Sequence, residues 1–356
     1  MKRQHWNAGR FHRGLSLVEL MVALAISLIL LLGVAQIYVS TSATNRSQEG
    51  LSRVQENARF VLDLLARDIR LAGYSGCPRS AHAEPERIMA KRAPSDIVAP
   101  EDAIMGTDDA SSSAIWDGDR PDHALEDTPA VRITFAGPGK ALVEEGSFEG
   151  FEFSLERNPD DLTGGDLITI TDCERTEIAE ISNVSDGPGT SVSVAHGDDV
   201  NTPHDDLGAS NAFTGSVNAM RTHRYVYYLG TNGEGNPALF RRDLAASDNA
   251  RRSMELVENV DYMAIQYGQD TDGNGQVDRY RAAQDMGADD WAGVISVRTS
   301  LLLTSDEILT EPHDAQFDLL GNLVNGNNDP LIDGRNINRR VGQVATTTIT
   351  LRNRTP

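Results

Sequence analysis

Cysteine is nearly missing from these 356 residues, with only two in the chain. That excludes a disulfide-dense scaffold and a cysteine-based zinc site, and leaves room for one bridge. Positive charge is also short, with 32 Lys and Arg against 53 Asp and Glu and a net charge of -21. A general nucleic-acid binder needs the opposite balance, because basic side chains must replace phosphate counterions. The motifs G-x-S-x-G, H-E-x-x-H and G-x-x-x-x-G-K-[ST] do not occur, so the common hydrolase, metalloprotease and P-loop signatures are missing. The eight histidines are scattered; His5 and His12 fall at the start, while His196 and His204 sit in acidic, turn-rich stretches. A non-catalytic chain is expected. Repeats of 20–50 residues and βαβ alternation are lacking too, which argues against a solenoid and a doubly wound sheet.

Long apolar runs are scarce except for one. From Leu15 to Val39 the chain reads LSLVELMVALAISLILLLGVAQIYV, with Glu19 as its only charge. At 1.5 Å per residue this run reaches roughly 37 Å, enough to cross a bilayer with some tilt. Ahead of it, residues 1–14 carry Lys2, Arg3, Arg10 and Arg13 and no acid. The positive-inside rule keeps that leader in the cytoplasm and sends everything after Val39 across the membrane. A cleavable secretory signal would have an apolar core of about 7–15 residues and a small-x-small site, which this run does not match. A plain signal anchor leaves Glu19 unexplained, since an ionisable group inside such a span costs about 2.5–3.5 kcal/mol on insertion scales.

The segment Gly14-Leu15-Ser16-Leu17-Val18-Glu19-Leu20, after a basic leader and before a long apolar helix, resembles the prepilin signal of type IV pilins and type II secretion pseudopilins. The resemblance implies cleavage on the cytoplasmic side after Gly14 by a prepilin peptidase and methylation of the new N-terminus at Leu15. The family usually has Phe where this chain has Leu15. Glu19 is then the docking carboxylate, offered to the N-terminal ammonium of a neighbouring subunit. Each of those charges is costly alone within the apolar zone and tolerable when paired.

Beyond the membrane, Leu51, Val54, Ala58, Val61, Leu65, Ile69 and Ala72 recur every three or four residues, the stripe of a helix that packs on a body. With no proline before Pro78, the pattern predicts one helix over 15–72, its membrane-spanning half at 15–39 and its periplasmic half at 40–74. The remainder, 75–356, reads as a β-rich soluble domain. It opens irregularly, with an acidic stretch at about 96–129 that holds ten acids and one base, Arg120, and reads as a solvated loop. Strands are expected at Val131–Phe135, Phe151–Leu155, Leu167–Thr171, Ile178–Val184, Ser191–Ala195, Tyr225–Leu229, Ala238–Arg241, Met263–Tyr267, Val294–Leu303 and Ala345–Leu351. The fold class expected is α+β, with a long N-terminal pilin-type helix packed on a large antiparallel sheet domain.

Three segments narrow the resemblance to PilW-type minor pilins. They are the post-membrane helix from Glu56 to Tyr74 with the Gly76-Cys77 that follows, the Tyr267–Gly275 stretch, and the closing Thr348-Ile349-Thr350-Leu351-Arg352-Asn353. What this implies is a low-abundance pilus subunit that joins other minor pilins and the major pilin, uses the inner-membrane assembly machinery, helps to start assembly and sits near the tip. A tip adhesin is a further candidate partner. The J-type minor pseudopilin of type II secretion and a binding module at the tip are the alternatives.

Two local features remain. Asp270-Thr271-Asp272-Gly273-Asn274-Gly275-Gln276-Val277-Asp278 places oxygen donors at positions 1, 3, 5 and 9 of an EF-hand-type calcium loop, with glycine at 6. Position 7 would be the Gln276 backbone carbonyl, while position 12, normally a bidentate Glu, is Arg281. The flanks read as strands, and a polar hairpin turn is the competing explanation. Cys77 and Cys173 would both reach an oxidising compartment, where they pair or remain two buried thiols.

Overall fold

The computed structural model describes residues 16–77, 85–89, 103–116, 118, 120–145, 147–148, 151–186, 190–194, 213, 215–247, 253–306, 308–309, 316–325 and 337–354. The chain divides into two compact units, Met1–Gly50 and Leu51–Pro356. The expectation of one long helix holds: α1 runs without a break over Leu17–Leu71. In the first unit its side chains from Ser16 to Ser40 are all exposed, among them Leu24, Ile29, Leu31 and Val34. An apolar rod of this kind requires lipid or other apolar helices around it.

The second unit begins with the stripe. Val54, Ala58, Val61, Leu65, Ile69 and Ala72 are buried, whereas Leu51 at its start remains exposed. They enter one core together with residues of two antiparallel sheets. The first sheet is built from β1 (Pro85–Met89), β2 (Ile104–Thr107), β3 (Ala130–Leu142), β4 (Glu152–Leu155), β5 (Leu167–Thr171), β6 (Thr176–Asp186), β7 (Thr190–Val194), β8 (Asn218–Thr231), β9 (Pro237–Asp243) and β10 (Met254–Glu258). The long β8 organises it, with β3 along one edge and β5 followed by β9 along the other. The second sheet has the order β12-β11-β13-β16, where β11 is Val260–Gln269, β12 Arg279–Arg281, β13 Val294–Thr304 and β16 Gly342–Thr350. A hairpin of β14 (Gln316–Leu319) and β15 (Asn322–Asn325) seats Leu319 and Val324 against Ala264 and Leu302 of the second sheet. Among the described residues, β1 with β6 is the parallel pair and the other pairs are antiparallel.

The end of α1 is held from three directions. Gly73, at φ +74°, ends the helix in the left-handed conformation that a residue with a Cβ adopts reluctantly. Its N–H then donates to the Thr134 carbonyl at 2.9 Å, and Ala136 N–H donates to the Tyr74 carbonyl at 2.7 Å, so the exit segment lies along β3. The Asn353 side-chain amide donates to the last helical carbonyls, those of Leu71 and Ala72, at 3.3 Å each. Finally, Cys77 is bonded to Cys173 in the turn between β5 and β6, with the two Cα atoms 5.5 Å apart. The two thiols therefore pair rather than stay separate.

The acidic stretch differs from expectation. Its described part, from residue 103 to 129, is no solvated loop, for it contributes β2 and buries Ile104, Ala110, Ile115 and Trp116. Trp116 packs edge-on against Tyr228 at 4.8 Å and donates its indole N–H to the Ala110 carbonyl at 2.7 Å. Of its described acids, Asp122, Glu126 and Asp127 are exposed, and Asp109 accepts hydrogen bonds from the Ser111 and Asp127 backbone N–H groups. Ten acids outweighed three apolar anchors in composition, yet burial of one Trp and two Ile side chains decides the fold. Residues 91–102 lie outside the described region.

Candidate functional site

Gly14 and Leu15, the residues expected at the cleavage point, lie outside the described residues, as do His5, His12, His196 and His204. Glu19 is in the first turn of α1, where a carboxylate also complements the positive end of the helix dipole. Its side chain is exposed, and among the described residues no hydrogen bond or ion pair to it is present. The carboxylate is therefore available to a group from outside the chain.

The attachment of α1 to the body involves a group that the apolar pattern hid. Asp68 lies on the buried face, 2 % exposed, between Leu65 and Ala72. A carboxylate there costs several kcal/mol unless it is paired and hydrogen-bonded. Arg241 of β9 meets it at 3.2 Å, Arg67 at 3.0 Å, and the Tyr227 hydroxyl of β8 donates to it. The Arg241 guanidinium in turn lies 4.3 Å from the centre of the Tyr225 ring. Burial, and then the Asp68 charge, push the Tyr227 phenol well above its ordinary range, so it remains a donor at every working pH. The signal in the sequence was an acid at stripe spacing, seven residues after Val61 and four before Ala72.

The two described histidines serve packing. His223 Nδ1 is 2.9 Å from Asp243, which also accepts the Arg224 and Ala245 backbone N–H groups. His123 Nε2 is 2.9 Å from the Tyr228 hydroxyl, and its ring lies against Phe240.

The 270–278 loop joins β11 to β12, strands as expected rather than the helices of an EF-hand. Asp270, Asp272 and Asp278 each bring a carboxylate oxygen within 4.8 Å of the others, and this triad could hold a metal ion. Desolvation would raise the Asp270 carboxyl, but the backbone N–H groups of Gly275, Gly273 and Asn274 outweigh it and hold the group below its usual range. A hydrogen bond from the Thr271 hydroxyl does the same for Asp278. Asn274 and Gln276 belong to the same turn, where Asn274 Oδ1 accepts the Gln276 N–H at 2.8 Å. Arg281, the residue at position 12, turns to Asp290 at 2.9 Å and to Gln269 at 3.3 Å. Its charge is thereby met by another carboxylate instead of opposing a cation in the loop.

The first half of α1 is long and apolar enough to cross a membrane, and the buried stripe of its second half packs in antiparallel sheet. The comparisons agree at both ends of the chain. Residues 9–35 match the family model for the Prokaryotic N-terminal methylation motif, and residues 226–353 match the one for Type IV Pilus-assembly protein W. Together these matches are those of a type IV prepilin-like minor pilin of the PilW kind, as the sequence resemblance implied. No curated protein and no solved structure gives a match.

Proposed function

We propose that this chain is a non-catalytic minor pilin that helps to initiate type IV pilus assembly and stays near the pilus tip. In this reading residues 1–14 are a cytoplasmic leader, removed after Gly14, and Leu15 is methylated by the prepilin peptidase. Residues 15–39 span the inner membrane and the body is periplasmic until the subunit enters the filament. Glu19 receives the N-terminal ammonium of a neighbouring subunit, and the partners are other minor pilins, the major pilin and the inner-membrane assembly machinery. The observation that supports this most is the pairing of a methylation motif over 9–35 with a PilW match over 226–353 in one chain. A single deletion strain tests it. Surface pili should fall while secretion of folded exoproteins continues; intact piliation with failed secretion would instead identify the J-type pseudopilin.

Calcium is the metal proposed for the loop, held by the carboxylates of Asp270, Asp272 and Asp278 with the Gln276 carbonyl, in support of local order rather than chemistry. Isothermal titration should give half-saturation at about 10⁻⁴–10⁻³ M, the range of extracellular calcium modules. Both lowered carboxyls are ionised far above their pKa at neutrality, so the affinity should stay flat between about pH 5 and 8 and fall only as these groups protonate. Asp270→Asn should abolish the heat of binding, and an unchanged titration would exclude the loop.

A further inference from the structure

Half of the first sheet closes on itself. Residues 140–142 of β3 pair with the start of β8, whose residues 218–221 pair with β5. The ladder continues from β5 to β6, from β6 to β7 and from β7 to β4. It then returns to its origin, because Leu155 of β4 bridges Val143, flanked by bonds from Glu144 N–H to the Ser154 carbonyl at 2.8 Å and from Glu156 N–H to the Leu142 carbonyl at 3.1 Å. A closed ladder has no free edge and encloses its own interior. That interior is filled by Phe153, Leu155, Ile168, Ile170, Ile181 and Val192, all 1 % exposed or less. None of these side chains belongs to the core beneath α1, which takes Phe135 from β3 and Tyr227 and Leu229 from β8. Between the two cores β3 loses register from Ala136 to Lys140, at Gly137-Pro138-Gly139.

Non-covalent ties also run between barrel and body: the Lys140 ammonium donates to the Gly76 carbonyl, and the Thr169 and Thr222 hydroxyls are 2.7 Å apart. The Asp166 carboxylate accepts the Ser247 N–H at 2.7 Å, and Leu167 N–H donates to the Ala245 carbonyl at 3.0 Å. The disulfide is of another kind. It fixes the β5–β6 turn of the barrel to Cys77, a few residues beyond the end of α1.

We propose that the closed barrel of β4–β7 with the adjoining ends of β3 and β8 is a separate cooperative folding unit, and that the Cys77–Cys173 bridge couples its opening to that of the helix-bearing body. Two cores that share no side chain can open separately, and what favours the barrel's opening is then the chain freedom it gains. The bridge restricts that freedom by closing a loop across a sequence separation of 96 residues. Without it, the barrel should open on its own while the sheet beneath α1 stays closed.

Hydrogen exchange read by mass spectrometry on the full-length protein in detergent micelles tests this, with Cys77→Ser/Cys173→Ser compared against the unaltered chain. Amides of β5, β6 and β7 should exchange at least tenfold faster in the variant, and those of β11, β13 and β16 should change less than threefold. The folded natural chain, reduced with dithiothreitol and measured the same way, should reproduce the pattern and replaces the variant if that does not fold. Equal acceleration in both sets would show a single cooperative body and overturn the proposal. So would an unchanged rate in β5–β7.

Discussion

Glu19→Val should insert, be cleaved and accumulate in the inner membrane, yet be missing from sheared pili. Removing a carboxylate from the apolar run lifts a standing cost of about 2.5–3.5 kcal/mol, so membrane insertion is not impaired. The loss comes at docking. On the proposed function each mature subunit would carry an ammonium at Leu15, and a neighbour with Val at position 19 would leave that ammonium buried without a counter-charge. Truncating one member of a buried ion pair typically costs about 3–5 kcal/mol, which lowers an association constant a hundredfold or more. The helix itself should be unaffected, since the Glu19 side chain is exposed along α1. Immunoblots of membrane and sheared-pilus fractions, normalised to total protein, measure the effect. Equal incorporation of both forms would remove Glu19 from the docking role.

Gly14→Ala should have an all-or-none outcome one step earlier. The uncut chain keeps Lys2, Arg3, Arg10 and Arg13 on the cytoplasmic side and never exposes an amine at Leu15. It therefore anchors normally and lacks the group that Glu19 of a neighbour would meet. N-terminal mass spectrometry of membrane-extracted protein should find natural chains beginning at methylated Leu15 and variant chains beginning in the leader. Natural chains starting near Thr44 would point to conventional signal cleavage. The two substitutions remove opposite halves of one ion pair, so in a mixed population the Leu15 amine of Glu19→Val can meet Glu19 of Gly14→Ala while the reverse contact stays unpaired.

The parts of this fold that were legible in the sequence are those decided locally. β5 was read to the residue, Leu167–Thr171, because Gly164-Gly165-Asp166 stops the chain before it and Asp172 after it. The stripe of α1 was legible for the same reason, as was the 270–278 turn, where the hydrogen bonds accepted by the Asp270, Asp272 and Asn274 side chains span five residues or fewer. What depended on distant partners was hidden. Asp68 looks like one more surface charge until Tyr227 and Arg241 arrive from 159 and 173 residues away. β12 is three residues long and exists through its pairing with the end of β11. β2 was masked by the acids around it, although Ile104 within it and Trp116 beyond it carried the burial.

The Asn353 cap has a consequence for the order in which the molecule can be completed. The last turn of α1 leaves the ribosome early, but the side chain that satisfies its terminal carbonyls is 282 residues further along. β13 likewise waits for β16, with Val297 opposite Ile349. Closure of the body is therefore a late event dominated by contacts remote in sequence, a topology that folds slowly because loop entropy is spent before those contacts return it. Throughout that interval the apolar face of α1 would be uncovered, following the apolar run that the proposed function places in the membrane. Such a chain gains from an anchor that holds its first residues in place while its last strand is still being delivered.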